Sequence, residues 1–285
     1  MLCSINEHEF VLFRDYIAEK SGIVIRPEKA YLIETRLTTL MLEAGAESFD
    51  EFYIHIKSGK DPDIKQKIIN AIAVNETMWF RDAALWTAFG NEILPKLIKD
   101  ITSGKKAKIR IWSAAVSTGQ EIYSAVMCVD DYLSRNNIEG VDLSNFEFLA
   151  TDISGRVLNI AKNGSYGKVS IMRGLNDYYK TWYFNNKDSV WDVKQSIKDA
   201  VTFELFNLQD SYEAFGIFDV IFCRYVLIYF SDEMKKDVIK KMHGSLAANG
   251  VFFTGSYVLY DLFSERFESK HYENLTYYTK KLVIR

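Results

Sequence analysis

The sequence predicts an α/β protein: a doubly wound, mainly parallel sheet with a small N-terminal all-helical domain in front and a small antiparallel β insertion within it. Three observations predict this. From residue 83 onward, short strand-like apolar runs alternate with segments of helical spacing, and βαβ order is what builds a parallel sheet. The first quarter carries helical spacing alone. Between Tyr166 and Phe203 a stretch rich in Tyr and Trp breaks the alternation.

Taken in order, Phe10, Phe13 and Ile17 recur at helical spacing, as do Ile33, Leu37, Leu40 and Ala44. Phe49, Phe52 and Ile56 mark a third helix, and Ile64, Ile68 and Ile72 a fourth. Gly22, Gly45 and Gly59-Lys60-Asp61-Pro62 punctuate them. Helices this short are stable only when their apolar stripes pack on one another, so residues 1–74 are expected to form a small bundle. No Ser/Gly linker follows, which sets the bundle directly against residues 75–285.

Leu85, Phe89, Ile93 and Leu97 continue the helical pattern, and then the period changes. Residues 108–112 read as a strand, 113–119 as a loop of small residues, and Ile122, Val126, Val129 and Leu133 as the next helix. Residues 146–151 are a second strand ending at Asp152, after which Val157 and Ile160 open another helix. The insertion covers about 166–203, with strand alternation at Val190-Trp191-Asp192-Val193. Residues 201–205 and 218–223 read as strands and 232–247 as a helix stopped by Asn249-Gly250. Residues 251–254 and 280–284 are expected as the last strands.

Composition narrows the function classes. Hydrophobic residues at 48% and charged residues at 26% suit a soluble protein with a sizeable core. A net charge of −3 lacks the basic footprint of a nucleic-acid binder. The three cysteines and four histidines stand apart from one another, so a reduced intracellular protein without a metal site is expected. No apolar run approaches the ~18 residues of a membrane span, and the first residues lack the basic-then-apolar order of a signal peptide. The expected location is the cytoplasm, without membrane insertion.

Four segments carry candidate chemistry. The loop after the first strand of a doubly wound sheet leads into a helix whose N-terminus faces the ligand. Here it holds one glycine, Gly119, and no GxGxxG, which argues for a cofactor smaller than a dinucleotide. Glu121 at the loop–helix junction suits a cationic amino group, or else simply an acid favoured in a first helical turn. Asp152 ends the second strand where nucleotide-binding sheets hold ribose hydroxyls, or else caps the following helix. Asn207-Leu208 offers an amide and an apolar contact to a base. Asn75, Thr77 and Arg81, beside Trp79 and Phe80, supply polar ligands and a lid, unless Thr77 is only an N-cap. Residues 223–230 follow the strand where open sheets place their crevice, and Tyr225 and Tyr229 there are otherwise core aromatics.

Together these segments resemble the CheR family of chemotaxis receptor methyltransferases over nearly the whole chain. The resemblance rests on Asn75-Glu76-Thr77 with Phe80-Arg81, then on Trp112-Ser113-Ala114-Ala115 through Ser117-Thr118-Gly119 with Glu121 and Tyr123-Ser124. Ala150-Thr151-Asp152-Ile153, Asn207-Leu208, and Phe218-Asp219 through Cys223-Arg224 with Ile228-Tyr229-Phe230 complete it, in family order. It implies an S-adenosylmethionine-dependent methyltransferase fold and glutamyl methyl ester formation on the cytoplasmic domain of chemoreceptors, with S-adenosylhomocysteine as product. It further implies that Asn75, Thr77, Arg81, Glu121, Asp152, Asn207, Leu208, Arg224 and Tyr225 surround the cofactor, and that Arg81 and Tyr229 flank the substrate carboxylate. With a reference pKa of about 4.3, a glutamate is already a nucleophile at neutral pH, so both residues are assigned to orientation rather than proton transfer.

The sequence departs from the family pattern in several places. Tyr225 stands where the family has Asn after Cys-Arg. Gly119-Gln120-Glu121-Ile122 replaces Gly-Glu-Glu-Pro, and Gly255-Ser256-Tyr257-Val258 replaces Gly-His-Ser-Glu. Residues 184–189 lack the glycine of members that tether to a receptor pentapeptide, which predicts a pentapeptide-independent enzyme. Arg36 remains on a second helix less basic than is usual, so receptor contact is expected to draw on other residues as well. The rival readings are a methyltransferase for another protein or a small molecule, a non-catalytic S-adenosylmethionine-binding signalling module, and a nicotinamide enzyme, the last disfavoured by the missing GxGxxG.

Overall fold

The computed structural model describes residues 4–255 and 260–281. Helices α1 (Glu7–Ser21), α2 (Tyr31–Glu43), α3 (Phe49–Lys57) and α4 (Ile64–Ile72) pack as the expected bundle. A capping box starts α1: Glu9 N–H donates to Asn6 Oδ1 at 3.0 Å while Asn6 N–H donates to Glu9 Oε2 at 2.9 Å. Gly22, at φ 74°, ends it. Phe13 stacks on Phe52 at 5.6 Å and meets Phe49 edge-on at 5.5 Å in the bundle core. The α2 stripe continues from Ile33 and Leu37 to Met41, four residues on, so Met41 is buried and Leu40 only half-buried.

The second unit alternates strand and helix: α5 (Ala83–Ala88), a π turn, α6 (Leu94–Thr102), β1 (Ile109–Ala114), α7 (Gln120–Asn136), β2 (Phe146–Asp152) and α8 (Gly155–Asn163). The insertion follows as β3 (Ser165–Gly167), α9 (Lys168–Ile171), α10 (Asp177–Tyr183), β4 (Phe184–Lys187), β5 (Val190–Val193) and α11 (Gln195–Asp199). The chain then returns through β6 (Val201–Leu205), β7 (Phe218–Phe222), α12 (Asp232–Ser245), β8 (Leu246–Phe253), α13 (Tyr260–Phe263), β9 (Phe267–Tyr272) and β10 (Leu275–Lys280).

The main sheet has the order β6-β2-β1-β7-β8-β10-β9, parallel through β8 and antiparallel in the final hairpin. Alternate residues feed opposite faces. Ile111, Phe222 and Phe253 join the core under α5–α7, whereas Trp112, Ile221 and Phe252 join the core under α12.

Three expectations are corrected. The last described strand pair is β9–β10, with β10 ending at Lys280; of the expected 280–284, residues 282–284 lie outside the described residues; β9 is an edge strand whose Glu268 and Lys270 face solvent, so its alternation is weakly apolar. The helix ends at Ser245, and Asn249-Gly250 lies inside β8, where Phe218 faces Leu246 but Val220 faces Val251, so the residues between bow out of register. The expected antiparallel insertion is present, as the three-stranded sheet β3-β5-β4 with the short helices α9 and α10, and only its far boundary moves. Residues 201–205 belong to the main sheet.

The insertion grips the segment that joins the two units. Trp79, fully buried, meets Tyr166 and Phe184 edge-on at 4.9 and 5.2 Å, and its backbone N–H donates to Arg173 O at 3.1 Å. Gly174 permits this approach: its φ is +91°, and a Cβ there would lie 2.0 Å from the Trp79 carbonyl oxygen. Among the described residues no helix is long and apolar enough to cross a membrane, and no His/Cys/Asp/Glu group could hold a metal ion.

Candidate functional site

Strand β1 sits between β2 and β7, so the chain reverses its direction of travel across the sheet there. Open α/β sheets bind ligands at that switch point, outside the carboxyl ends of the strands. A cavity of about 1160 Å³, its open mouth included, lies at this place. All ten sequence-predicted residues line it: Asn75, Thr77, Arg81, Glu121, Asp152, Asn207, Leu208, Arg224, Tyr225 and Tyr229. Ser21 and Ile23 of the helical domain close one side. Sequence reasoning missed them because helical spacing reveals a buried stripe but not which end of a bundle fronts a neighbour.

The loop after β1 is wound tightly, with Ala115, Ser117 and Gly119 all at positive φ. Ala115 and Val116 N–H groups both donate to Thr151 O, and Ser117 Oγ–H donates to Asn75 O at 2.9 Å, which pins the loop to β2 and to the interdomain segment. The single glycine serves packing: a Cβ on Gly119 would meet Ala161, Tyr166 and Tyr123 at 3.0–3.1 Å. Gln120, where the family has an acid, is buried and bridges Thr118 and Ser170 at 2.8 and 3.2 Å. An amide can donate to one side and accept from the other there, which a carboxylate cannot.

Asp152 is buried, and each of its oxygens accepts one backbone N–H, from Ser117 at 2.8 Å and from Ser154 at 2.9 Å. Its cap-like and ligand readings therefore coexist, since one acceptor site per oxygen is left for adjacent hydroxyls. Burial raises its pKa, against the lowering effect of the backbone N–H groups.

Glu121, in the first turn of α7, accepts from Ser113 Oγ–H at 2.7 Å and from Arg224 Nη1 at 2.7 Å. The Arg224 side chain is 2% exposed; its Nη2 donates to Asp82 Oδ2 at 2.6 Å and to Arg81 O at 2.8 Å. Burial works against the Arg224 charge, but Glu121 and Asp82 hold its pKa above the ordinary value. Of the two carboxylates on this guanidinium, Glu121 lines the cavity and is the one placed to meet a cationic group. Asp82 was not singled out in the sequence. It stands just ahead of α5, where an acid reads as a cap, yet at φ 65° it turns its carboxylate to Arg224 and Tyr225 instead.

Two candidates are placed differently from their first reading. Asn207 lines the cavity, but its amide is engaged by protein: Nδ2 donates to Lys20 O at 3.0 Å and to Gln209 Oε1 at 3.1 Å, and Oδ1 accepts from Gln209 N–H at 3.0 Å. It ties α1 to the sheet, leaving Leu208 as the apolar wall. Arg36 donates to Ile72 O at 2.6 Å and closes the carboxyl end of α4. Thr77 lies in a segment without regular secondary structure and caps no helix. Tyr229 is half-buried; burial raises its pKa, opposed by the charges of Arg81 and Arg36. The altered residues 256–258 lie outside the described residues.

The donor set fits a ligand with vicinal hydroxyls at one end and a positive charge at the other. The family model for "CheR methyltransferase, SAM binding domain" matches residues 75–273, and that for "CheR methyltransferase, all-alpha domain" matches residues 8–73. The chain is 38% identical over 249 residues to chemotaxis protein methyltransferase 1 of Pseudomonas aeruginosa and 36% identical over 249 residues to chemotaxis protein methyltransferase Cher2 of Pseudomonas putida. Each match covers 87% of this chain and 89% of the relative. It is 34% identical over 254 residues to the chemotaxis protein methyltransferase of Vibrio parahaemolyticus, covering 89% of this chain and 90% of that one. The chain therefore belongs to the CheR methyltransferase family: it is a methyltransferase, and S-adenosylmethionine is its cofactor.

Proposed function

We propose that the chain methylates glutamate side chains on the cytoplasmic domain of chemotaxis receptors, forming glutamyl methyl esters, and that it does so without a receptor pentapeptide tether. The observation that carries this reading is that Arg81 and Tyr229 line the same cavity, where the Arg81 charge opposes the burial that raises the Tyr229 pKa. A forked guanidinium beside one phenolic donor matches a carboxylate. The β4–β5 turn supports the tether-free reading: Asp188 and Ser189, both at positive φ, make a two-residue hairpin turn with no room for a longer glycine loop.

S-adenosylmethionine supplies the methyl group on a sulfonium. Around it, Asp152 would take the ribose hydroxyls, the Glu121 carboxylate held by Arg224 would face the α-amino group, and Leu208 would lie against the base. Asn75 and Thr77 close the site from the interdomain segment, and Arg81 and Tyr229 orient the acceptor carboxylate. Alignment and exclusion of water then carry the rate.

Asp152→Asn keeps the shape but turns one acceptor into a donor facing a backbone N–H. Losing hydrogen bonds to a charged acceptor at about 1.5–3 kcal/mol each, it should weaken S-adenosylhomocysteine binding on the order of 100-fold by calorimetric titration. Because burial raises the Asp152 pKa, acidification should begin to weaken binding above the ordinary carboxylate value of 3.8.

The substrate is tested by incubating the protein and tritiated S-adenosylmethionine with receptor-bearing membranes. Base-labile label on the receptor band, unchanged when the receptor C-terminus is removed, is expected. Label on other proteins only would overturn the substrate, and loss with the C-terminus would overturn the tether-free mode.

A further inference from the structure

We propose that Tyr225 is a positioning residue for Arg81, a part taken on by one of the residues at which this chain departs from the family pattern; the proposal rests on the role given to Arg81 above. The Arg81 guanidinium carbon lies 3.5 Å from the centroid of the Tyr225 ring, close enough for face-on stacking. The Tyr225 hydroxyl donates to Asp82 Oδ2 at 2.6 Å, and the same oxygen accepts from Arg224 Nη2 at 2.6 Å. Arg224 Nη2 also holds Arg81 O at 2.8 Å. The ring thus grips Arg81 from its side-chain end while the neighbouring arginine grips its backbone.

The backbone argues that this arrangement is selected rather than incidental. Tyr225 has φ 57°, a conformation that Asn or Gly takes readily and a large aromatic residue rarely adopts. Room for the ring is provided opposite: a Cβ on Gly255 would lie 2.8–2.9 Å from Tyr225 ring atoms. The segment it holds is itself wound unusually, with Phe80 at φ 46° and Asp82 at φ 65° on either side of Arg81. The Arg81 side chain has one further protein donation, from Nη1 to Glu76 O at 3.3 Å. The stacking partner is what limits its swing across the cavity.

The test is a double-mutant cycle on methyl transfer to receptor-bearing membranes, with Arg81→Ala and Tyr225→Asn. Asn suits the left-handed backbone, so the variant keeps its fold, and its S-adenosylhomocysteine affinity should equal or exceed that of the wild type. Tyr225→Asn should lower kcat about tenfold with KM for the cofactor unchanged, Tyr225→Phe should restore it to within about threefold, and neither should matter further in Arg81→Ala. An impaired Arg81→Ala on which Tyr225→Asn still imposes its full factor overturns the Tyr225 proposal alone. An Arg81→Ala as active as the wild type instead removes the role of Arg81. A readout free of substrate accompanies it: the Arg81 Nε–H proton resonance should sit upfield under the Tyr225 ring current, stay there in Tyr225→Phe and move downfield in Tyr225→Asn. A resonance at the same position in all three proteins overturns the stacking.

Discussion

Replacing Arg224 by methionine should lower the melting temperature by roughly 10 °C and remove measurable S-adenosylhomocysteine binding. The guanidinium is almost wholly buried and joins Glu121, Asp82 and the Arg81 carbonyl. Methionine fills much of the volume but leaves Glu121 buried with the Ser113 hydroxyl as its remaining partner in that cluster. Breaking a buried pair from one side costs about 3–5 kcal/mol, and at ~2–4 °C per kcal/mol for a domain of this size the melting shift follows. Adding Glu121→Gln should recover much of the loss, because a neutral amide no longer carries an uncompensated charge. A variant that melts like the wild type would show that the cluster is solvated and that its charges are not coupled.

How much of this was legible in the sequence follows from which features are local. Glu121 and Asp152 were readable because a strand end fixes where the next side chain points, and a doubly wound sheet brings those ends to one crevice. The helical bundle was readable from spacing, with Met41 in place of Leu40 a slip of one position. Asp82 was not legible: its neighbours suggest a helix start, and only the fold brings it to Arg224, 142 residues away. Asn207 was readable as a cavity residue but not as a clamp on Lys20 O, which depends on how two units dock. The final hairpin escaped because an edge strand facing solvent carries little apolar alternation. Tyr225 was visible as a departure, and the sequence marked the place without disclosing the partner: its ring packs on a residue 144 positions earlier.

Arg81→Ala should reduce methyl transfer by about 100-fold or more while leaving S-adenosylhomocysteine affinity within about threefold. The separation follows from which atoms are lost. The Arg81 backbone is held by Arg224 Nη2 and by Trp86 Nε1, which donates to Arg81 O at 3.0 Å, and alanine keeps both contacts. The buried cluster at the cofactor's amino-acid end thus remains intact, and only the guanidinium over Tyr225 disappears. If that guanidinium aligns the acceptor carboxylate, its loss widens the range of approach angles to the methyl carbon, and a misplacement of about 1 Å is worth about that factor. Arg81→Lys should recover only part of the rate, because a single ammonium lacks the fork that fixes a carboxylate's plane. The acceptor is ionised throughout the neutral range, so the fold-loss should be the same from about pH 6 to 8. A loss that grew steeply across that range would assign Arg81 to controlling a proton instead of a direction. Rates measured with tritiated cofactor on receptor-bearing membranes, beside calorimetric titration of the same preparations, separate these outcomes; turnover equal to the wild type would leave the acceptor site to Tyr229 and the mouth of the cavity.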